Sequence, residues 1–340
     1  MTDPVEPVPS WLRAPSGGPE RPVPVVLDVD TGVDDALALL LAVRHPALDL
    51  RAVSCVAGNT HVDQVVANTL KVLDAAGAGD VPVARGAERP LLEPARDARH
   101  VHGEDGMADL GLPPSARRPV DVHAVELLRR TILDSPEPVT LVTLAPMTNA
   151  ALLLRTYPEV GERLHRVVAM AGAADVGNAT AAAEFNAWHD PEAAQIVLGS
   201  GLPVTMYGLD VFYDVVVPAS DAAVLAESAD PGARLAGRLL LHQLERFGGA
   251  HATIGDAGAV ASVADPAGLR TVRHPVRVEL AGRWTRGATV VDRRDWAGDL
   301  DHDPHGQPPA LVDVALGVDG ARYRDLFLDA LLPAAEGAAG

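Results

Sequence analysis

Four aspartates fall within eight positions in the segment PVVLDVDTGVDDALALLLA: Asp28, Asp30, Asp34 and Asp35. A strand-length apolar run leads into them, and an apolar helical run follows at once. Side chains alternate along a strand, so Asp28 and Asp30 are expected on one face of its end. Gly32 permits a tight turn. Asp34 is a natural helix N-cap, and Asp35 sits in the first turn. Capping accounts for Asp34 and at most Asp35, and leaves two carboxylates at the end of an apolar strand. Carboxylates crowded this closely repel one another, and a bound cation relieves the repulsion. Hard oxygen donors without cysteine or a histidine pair point to Ca2+ or Mg2+ rather than zinc.

The elements around this cluster repeat one pattern. Pro24–Leu27 reads as a strand leading to a helix Asp34–Arg44, stopped at Pro46. Leu50–Val56 leads to a helix Thr60–Ala76, and Val81–Ala84 is a short strand. Val122–Leu133 is amphipathic at helical spacing, Val139–Leu144 is a strand, Thr148–Arg155 a helix and Arg166–Met170 a strand. Alternating strands and helices predict an α/β fold, a mostly parallel, Rossmann-like central sheet flanked by helices. Ligands in such sheets bind at the carboxyl ends of the strands, where the polar motifs fall. Beyond residue 200, Val204–Met206 is a strand, and Ala233–Phe247 and Ala257–Val263 are helices. Val276–Glu279 and Thr289–Val291 read as a small additional β pair, Leu311–Leu316 as a late strand and Tyr323–Leu332 as a closing helix. The long polar loop Glu88–Pro119 has the length of a functional loop.

Residues 1–22 carry six prolines and no periodicity, the composition of a disordered tail. Residues 23–340 are expected to form a single domain. The chain is 340 residues long and 48% hydrophobic, enough for a large core. Its net charge of −18 disfavours nucleic acid and anionic membrane surfaces as partners. The lone cysteine, Cys55, excludes an intrachain disulfide and a Cys-based metal site. No secretory signal or membrane-length apolar run is apparent, so a cytoplasmic location is the expectation. Lys71 is the only lysine among 28 basic residues.

The aspartate segment resembles two enzyme families. DVDTG approaches the DxDx[TV] of haloacid-dehalogenase-type phosphatases, which use Mg2+ and need a downstream lysine for the phosphoryl group. Lys71 lies mid-helix, where a solvated surface residue is expected. The whole of DVDTGVDD is similar to the D-x-D-x-G-x-D-D signature of the nucleoside hydrolase family, the inosine- and uridine-preferring type. Four further segments resemble motifs of that family in its order: VAGNT with Asn59, HVHGEDGM with His102, TLAPMTNAAL with Leu144, and GNATAAAEFNAWHDPEAA with Asn178, Glu184 and Asn186. Each has a plainer alternative, since Gly-Asn after a strand is often a turn, His102 could be a loop histidine, and Thr148 and Asn149 could cap a helix. Five in order, over about residues 23–300, carry the resemblance.

The resemblance implies calcium-dependent hydrolysis of the N-glycosidic bond of ribonucleosides, through an oxocarbenium-like transition state. It makes Asp30 the general base on the attacking water. It makes Asp30, Asp35, Asp256 and the Leu144 carbonyl the Ca2+ ligands. Asp34, Asn59, Asn178, Glu184 and Asn186 become ribose contacts, His102 a residue of the leaving-group side, and Asp28 a support behind the cluster. It also implies a role in nucleoside salvage and a homodimer or homotetramer. Asp256 in HATIGDAGAV could instead be a simple helix N-cap.

Two departures stand out. The family usually has histidine before the aspartate of this segment, able to protonate the leaving base; here it is Gly255. Phe212, in LDVFYD, stands where threonine is common. Three options follow: His251, His242 or His102 serves as the acid; aromatic stacking by Trp188 or Tyr213 raises the basicity of a purine; or the enzyme is slow or takes a substrate with a better leaving group. The resemblance gives a weak lean to purine nucleosides, which some family members lacking this histidine prefer. A ribose- or nucleoside-binding homologue that has lost catalysis is the alternative Gly255 raises.

Overall fold

In the computed structural model, residues 21–294 and 309–332 are described. The expected tail 1–22 lies outside them except for Arg21 and Pro22. Eleven strands occur among the described residues. They are β1 Val23–Val29, β2 Leu48–Cys55, β3 Val83–Arg85, β4 Val139–Thr143, β5 Leu164–Met170, β6 Val204–Tyr207, β7 Val216–Pro218, β8 His251–Thr253, β9 Leu269–Val278, β10 Thr289–Val291 and β11 Ala310–Val318.

Nine of them form one sheet in the order β10-β9-β11-β6-β5-β4-β1-β2-β3. Strands β3 through β11 along that row are parallel, and β9 and β10 add an antiparallel edge. The β pair expected at 276–279 and 289–291 is thus formed, with β9 beginning earlier, and it continues the main sheet. A separate two-stranded antiparallel sheet joins β7 and β8.

The order 3-2-1-4-5-6 is that of a doubly wound sheet, whose strand order reverses between β1 and β4 while the strands stay parallel. The crevice at that reversal opens beyond the carboxyl ends of these two strands. The four aspartates follow β1 and Leu144 follows β4, so the topology brings both to one place. A backbone bond from Leu144 N–H to the Asp28 carbonyl, 2.8 Å, ties the two strand ends.

Alternation along β1 splits its apolar residues between two cores. Val25, Leu27 and Val29 pack on one face of the sheet and Val26 on the other. The helix Val33–Arg44 on the first face is buried almost all round, from Ala36 to Ala42. That explains its unbroken ALALLLA, because a helix enclosed on all sides needs no polar stripe. The helix Ala257–Ala264 packs against it. Small residues at Ala257, Gly258, Ala259 and Ala261, all buried, let the two axes come close.

Several local details differ from expectation. The strand ends at Val29, so Asp30 is no longer bound by the alternation that was to place it beside Asp28. The N-cap of the first helix is Gly32, not Asp34. Gly32 has φ −100°, which any residue adopts. Glycine is required there by close approach, since a Cβ would lie 2.6 Å from Asn59 Nδ2 and 2.7 Å from His102 Nδ1. The expected N-cap role of Thr148 or Asn149 is absent as well. Thr148 donates to Asp190 Oδ2 at 2.6 Å. Asn149 Nδ2 donates to Asp28 Oδ1 (2.8 Å) and the Cys55 carbonyl (3.0 Å), and its Oδ1 accepts from Ala87 N–H (2.9 Å).

Asn149 thereby satisfies three buried or half-buried groups on three elements. Asn149→Ala is expected to cost about 3 kcal/mol of stability, because stranded polar groups keep their desolvation penalty. Urea denaturation checks this; a loss within measurement error would remove Asn149 from the framework of the site.

Candidate active site

A cavity of about 650 Å³ opens over the ends of β1 and β4. Asp30, Asp34, Asn59, Leu144, Glu184 and Asp256 line one part of it. Asn178, Asn186 and His102 line it too, as do Trp188, Tyr213, His242 and His251. The loop expected to be functional supplies a wall through Asp97, Ala98 and the short helix Arg99–His102. Lys71 lies half-buried on the helix Val62–Ala76 and is not among the lining residues.

At the acidic end, oxygens of Asp34, Asp35 and Asp256 lie within 4.8 Å of one another. Asp34, expected as a ribose contact, is therefore inside the carboxylate group. Asp30 stands beside it, joined to Asp35 through its backbone: Asp30 N–H donates to Asp35 Oδ1 at 3.1 Å. Asp35 Oδ2 accepts from Gly32 N–H (2.9 Å) and from Asn59 Nδ2 (3.2 Å). Asp35, three residues into the helix, so performs the capping expected of Asp34. Asp30 Oδ2 accepts from Asn59 N–H at 2.7 Å. Asp256 stands at the N-cap position of its helix but makes no capping bond. Its carboxylate is left to face the other acids.

Burial and mutual repulsion set the proton affinities. Burial, then the Asp35 charge, raises Asp30 well above the usual carboxylate range. Burial, then Asp34, pushes Asp35 up to about 7. Burial, then Asp34, Asp35 and Asp30, raises Asp256 strongly. A buried set of oxygen donors that resists ionising, with one carboxylate lacking any hydrogen-bonded cap, fits a hard divalent cation.

Behind the cluster, Asp28 is fully buried and outside the cavity lining. Its Oδ1 accepts from Ser54 Oγ (2.6 Å) and Asn149, and burial lifts it to about 7. The Leu144 carbonyl accepts from Asn186 Nδ2 at 3.0 Å, and the same nitrogen reaches the Met170 carbonyl at 2.9 Å. Glu184 caps the short helix Phe185–His189, accepting from Asn186 N–H, Ala187 N–H and Gly172 N–H. Burial raises it to about 7. Asn178 is exposed at the rim and accepts from Phe185 N–H at 2.9 Å.

The other end is aromatic and rich in histidine. His102 Nδ1 accepts from Val33 N–H at 3.2 Å, so the neutral ring carries its proton on Nε2. Burial lowers its pKa. Tyr213 is half-exposed, and Trp188 lies under the Arg96 guanidinium, 4.3 Å from the ring centroid. Among the described residues, no lysine or arginine lines the cavity. At position 255 a glycine takes φ +53°. Motif comparison alone missed Asn149 as the support of Asp28; an asparagine inside an apolar helix start was the available signal.

Residues 25–325 match the family model of the inosine-uridine preferring nucleoside hydrolases. The pyrimidine-specific ribonucleoside hydrolase RihA of Citrobacter koseri is 42% identical over 314 residues, 91% of this chain and 98% of that protein. RihA of a Shewanella species is 40% identical over 91% and 96%. Among solved structures, an inosine-guanosine nucleoside hydrolase shares 32% identity, with TM-score 0.81 over 90% of this chain and 98% of its own. A purine-preferring ribonucleoside hydrolase of Gardnerella vaginalis shares 28%, with TM-score 0.80 over 90% and 97%.

The raised carboxyls have a consequence for stability. Asp28, Asp35 and Glu184 have ordinary values of 3.8 to 4.5 and rise to about 7 on folding. Without a cation, the folded chain holds protons that the unfolded chain releases. Stability then falls as pH climbs from about 4 to above 7. Chelated protein is expected to melt at lower temperature at about pH 8 than at about pH 5.5, and added Ca2+ to restore the melting point at the higher pH. Circular dichroism melts read this; a chelated protein indifferent to pH would contradict it.

Proposed function

Because the chain belongs to the inosine-uridine preferring nucleoside hydrolase family, we propose that it hydrolyses ribonucleosides to ribose and free base, with pyrimidine ribonucleosides preferred and Ca2+ as the resident cation. The observation that carries this is the convergence of Asp34, Asp35 and Asp256 within 4.8 Å at one end of a nucleoside-sized cavity. The lean to purines inferred from Gly255 lacks support, since the relatives around 40% identity are named pyrimidine-specific. The purine-preferring and inosine-guanosine enzymes are 28% and 32% identical. The phosphatase alternative loses its footing too, because among the described residues no lysine or arginine lines the cavity to hold a phosphoryl group.

Asp30, Asp35, Asp256 and the Leu144 carbonyl would hold the cation, with the Asp34 carboxylate brought beside Asp35 and Asp256. A divalent cation held there supplies the charge that acidifies a water and engages the sugar hydroxyls. Asp30, whose burial and neighbours raise its proton affinity, takes the proton as the water oxygen bonds to C1′. Asp34, Asn59, Asn178, Glu184 and Asn186 orient the ribose. Glu184 already accepts three backbone bonds, so it contributes a rigid acceptor with little capacity left over. The C1′–N bond breaks with its electron pair going to the base. The base gains a proton from the histidine-lined end, where His102, His242 and His251 are the candidates and Trp188 and Tyr213 offer stacking surfaces. A binding protein without turnover is the second reading, favoured only by the missing side chain at 255.

A reducing-sugar assay across purine and pyrimidine nucleosides, with and without chelator, tests the proposal. Uridine or cytidine is expected to release ribose fastest, and the chelator to abolish release. Asp30→Asn is expected to lose at least about a thousandfold in kcat with an unchanged circular dichroism spectrum, as for loss of a general base acting with electrostatic support. Tight ribose binding with no base released from any nucleoside would favour the binding protein.

A further inference from the structure

Gly255 and Phe212 meet at the boundary between the acidic end of the cavity and its aromatic end. The turn at Gly255 has positive φ, which disfavours any side chain. A Cβ there would lie 2.8 Å from Asp34 Cβ and 2.8 Å from Phe212 Cζ. Asp34 cannot retreat without leaving Asp35 and Asp256. The ring cannot retreat easily either: Phe212 is buried and packs edge-on against Tyr213, centroids 5.0 Å apart at 79°.

The backbone fixes the pair in place. Thr253 Oγ1 donates to the Phe212 carbonyl at 3.0 Å and accepts from Gly255 N–H at 3.2 Å. Ile254 N–H donates to the Val215 carbonyl at 3.1 Å. The end of the helix Leu209–Phe212 and the turn before Asp256 are therefore clamped through one threonine. Phe212, Thr253, Asp34 and Asp256 all line the cavity, so the ring edge lies on its inner surface beside the carboxylates.

We propose that Phe212 is a specificity-determining residue whose ring occupies the space of any side chain at 255 and presents the nucleobase with an apolar edge beside the acidic end. This rests on the N-ribosyl hydrolase reading. An apolar edge supplies no proton; it acts by contact with the base and leaves the sugar untouched. Proton donation then falls to histidines further along the wall.

The test separates base contact from sugar contact. Phe212→Ala and Phe212→Leu are assayed with Ca2+ on uridine and inosine. In parallel, inhibition by 1,4-dideoxy-1,4-imino-D-ribitol, a ribose mimic with no base, is measured. Phe212→Ala is expected to raise KM for the nucleosides about tenfold, as for loss of an aromatic contact to a base. Phe212→Leu, which keeps apolar volume and guards against a folding failure, is expected to raise it less. The inhibition constant of the iminoribitol is expected to move by less than about threefold in both. Gly255→Ala is expected to impair the wild type more than it impairs Phe212→Ala, since the ring is one of the two atoms groups it strikes. Equal losses for nucleosides and iminoribitol would overturn the proposal by reducing Phe212 to a prop for Asp34. Unchanged KM in Phe212→Ala would overturn it as well. A wild type that binds the iminoribitol but cleaves no nucleoside would sink the hydrolase reading itself, and the proposal with it.

Discussion

Carboxylates held out of water, without a basic partner, govern this structure. Asp30, Asp35 and Asp256 are each no more than 2% exposed. Burial and mutual repulsion both oppose their ionisation. The protein supplies backbone and amide N–H groups in compensation, from Gly32, Asp30 and Asn59, but among the described residues no lysine or arginine in the cavity. Neutral donors offset part of the desolvation and cannot cancel net charge. Without a cation the cluster is relieved by holding protons; a divalent cation, as proposed, would supply the positive charge instead.

The fold concentrates other favourable fields on the same point. The helices Val33–Arg44 and Ala257–Ala264 both begin at the cluster, so their N-termini direct partial positive charge at the carboxylates. Their close packing depends on the small residues of the second helix, which carries Asp256 in from far along the chain. The reversal of strand order between β1 and β4 opens the crevice, and the Leu144 to Asp28 backbone bond keeps its two lips in register. Each device is ordinary; their joint effect is that an acidic cluster, costly to assemble, is held by elements whose own cores do not depend on it.

Much of this was legible because it is local. The DVDTGVDD run, the Gly-Asn turn and the Glu184–Asn186 segment each carry their chemistry within a few residues, and all line or adjoin one cavity. Most strand and helix positions followed from periodicity to within a few residues, but β9 begins seven residues before the expected Val276, and β7, β8 and the helix Ala219–Ala226 were not anticipated. What was not legible depends on partners distant in sequence. Nothing in TLAPMTNAAL says that Asn149 will cross to Asp28, or that Thr148 will seek Asp190. The exchange of roles between Asp34 and Asp35 depends on where the helix begins, a matter of one or two residues that Asn59 and His102 decide by crowding Gly32. The short helices Leu209–Phe212 and Arg99–His102 lack a periodic signature altogether.

The cavity is asymmetric in a way that suits bond breaking between a sugar and a base. As the C1′–N bond lengthens, the ribose gains positive charge and the base gains negative charge. In the proposed orientation the ribose faces the carboxylates, which favour the first change. The base then faces the end with His102, whose Nδ1 accepts from Val33 N–H, together with His242 and His251, which suits the second. Between them lies Phe212, against a position where no side chain fits. In that orientation the ring adds no charge of its own at the boundary, which leaves the proposed stabilisation of the sugar to the carboxylates and that of the base to the histidines.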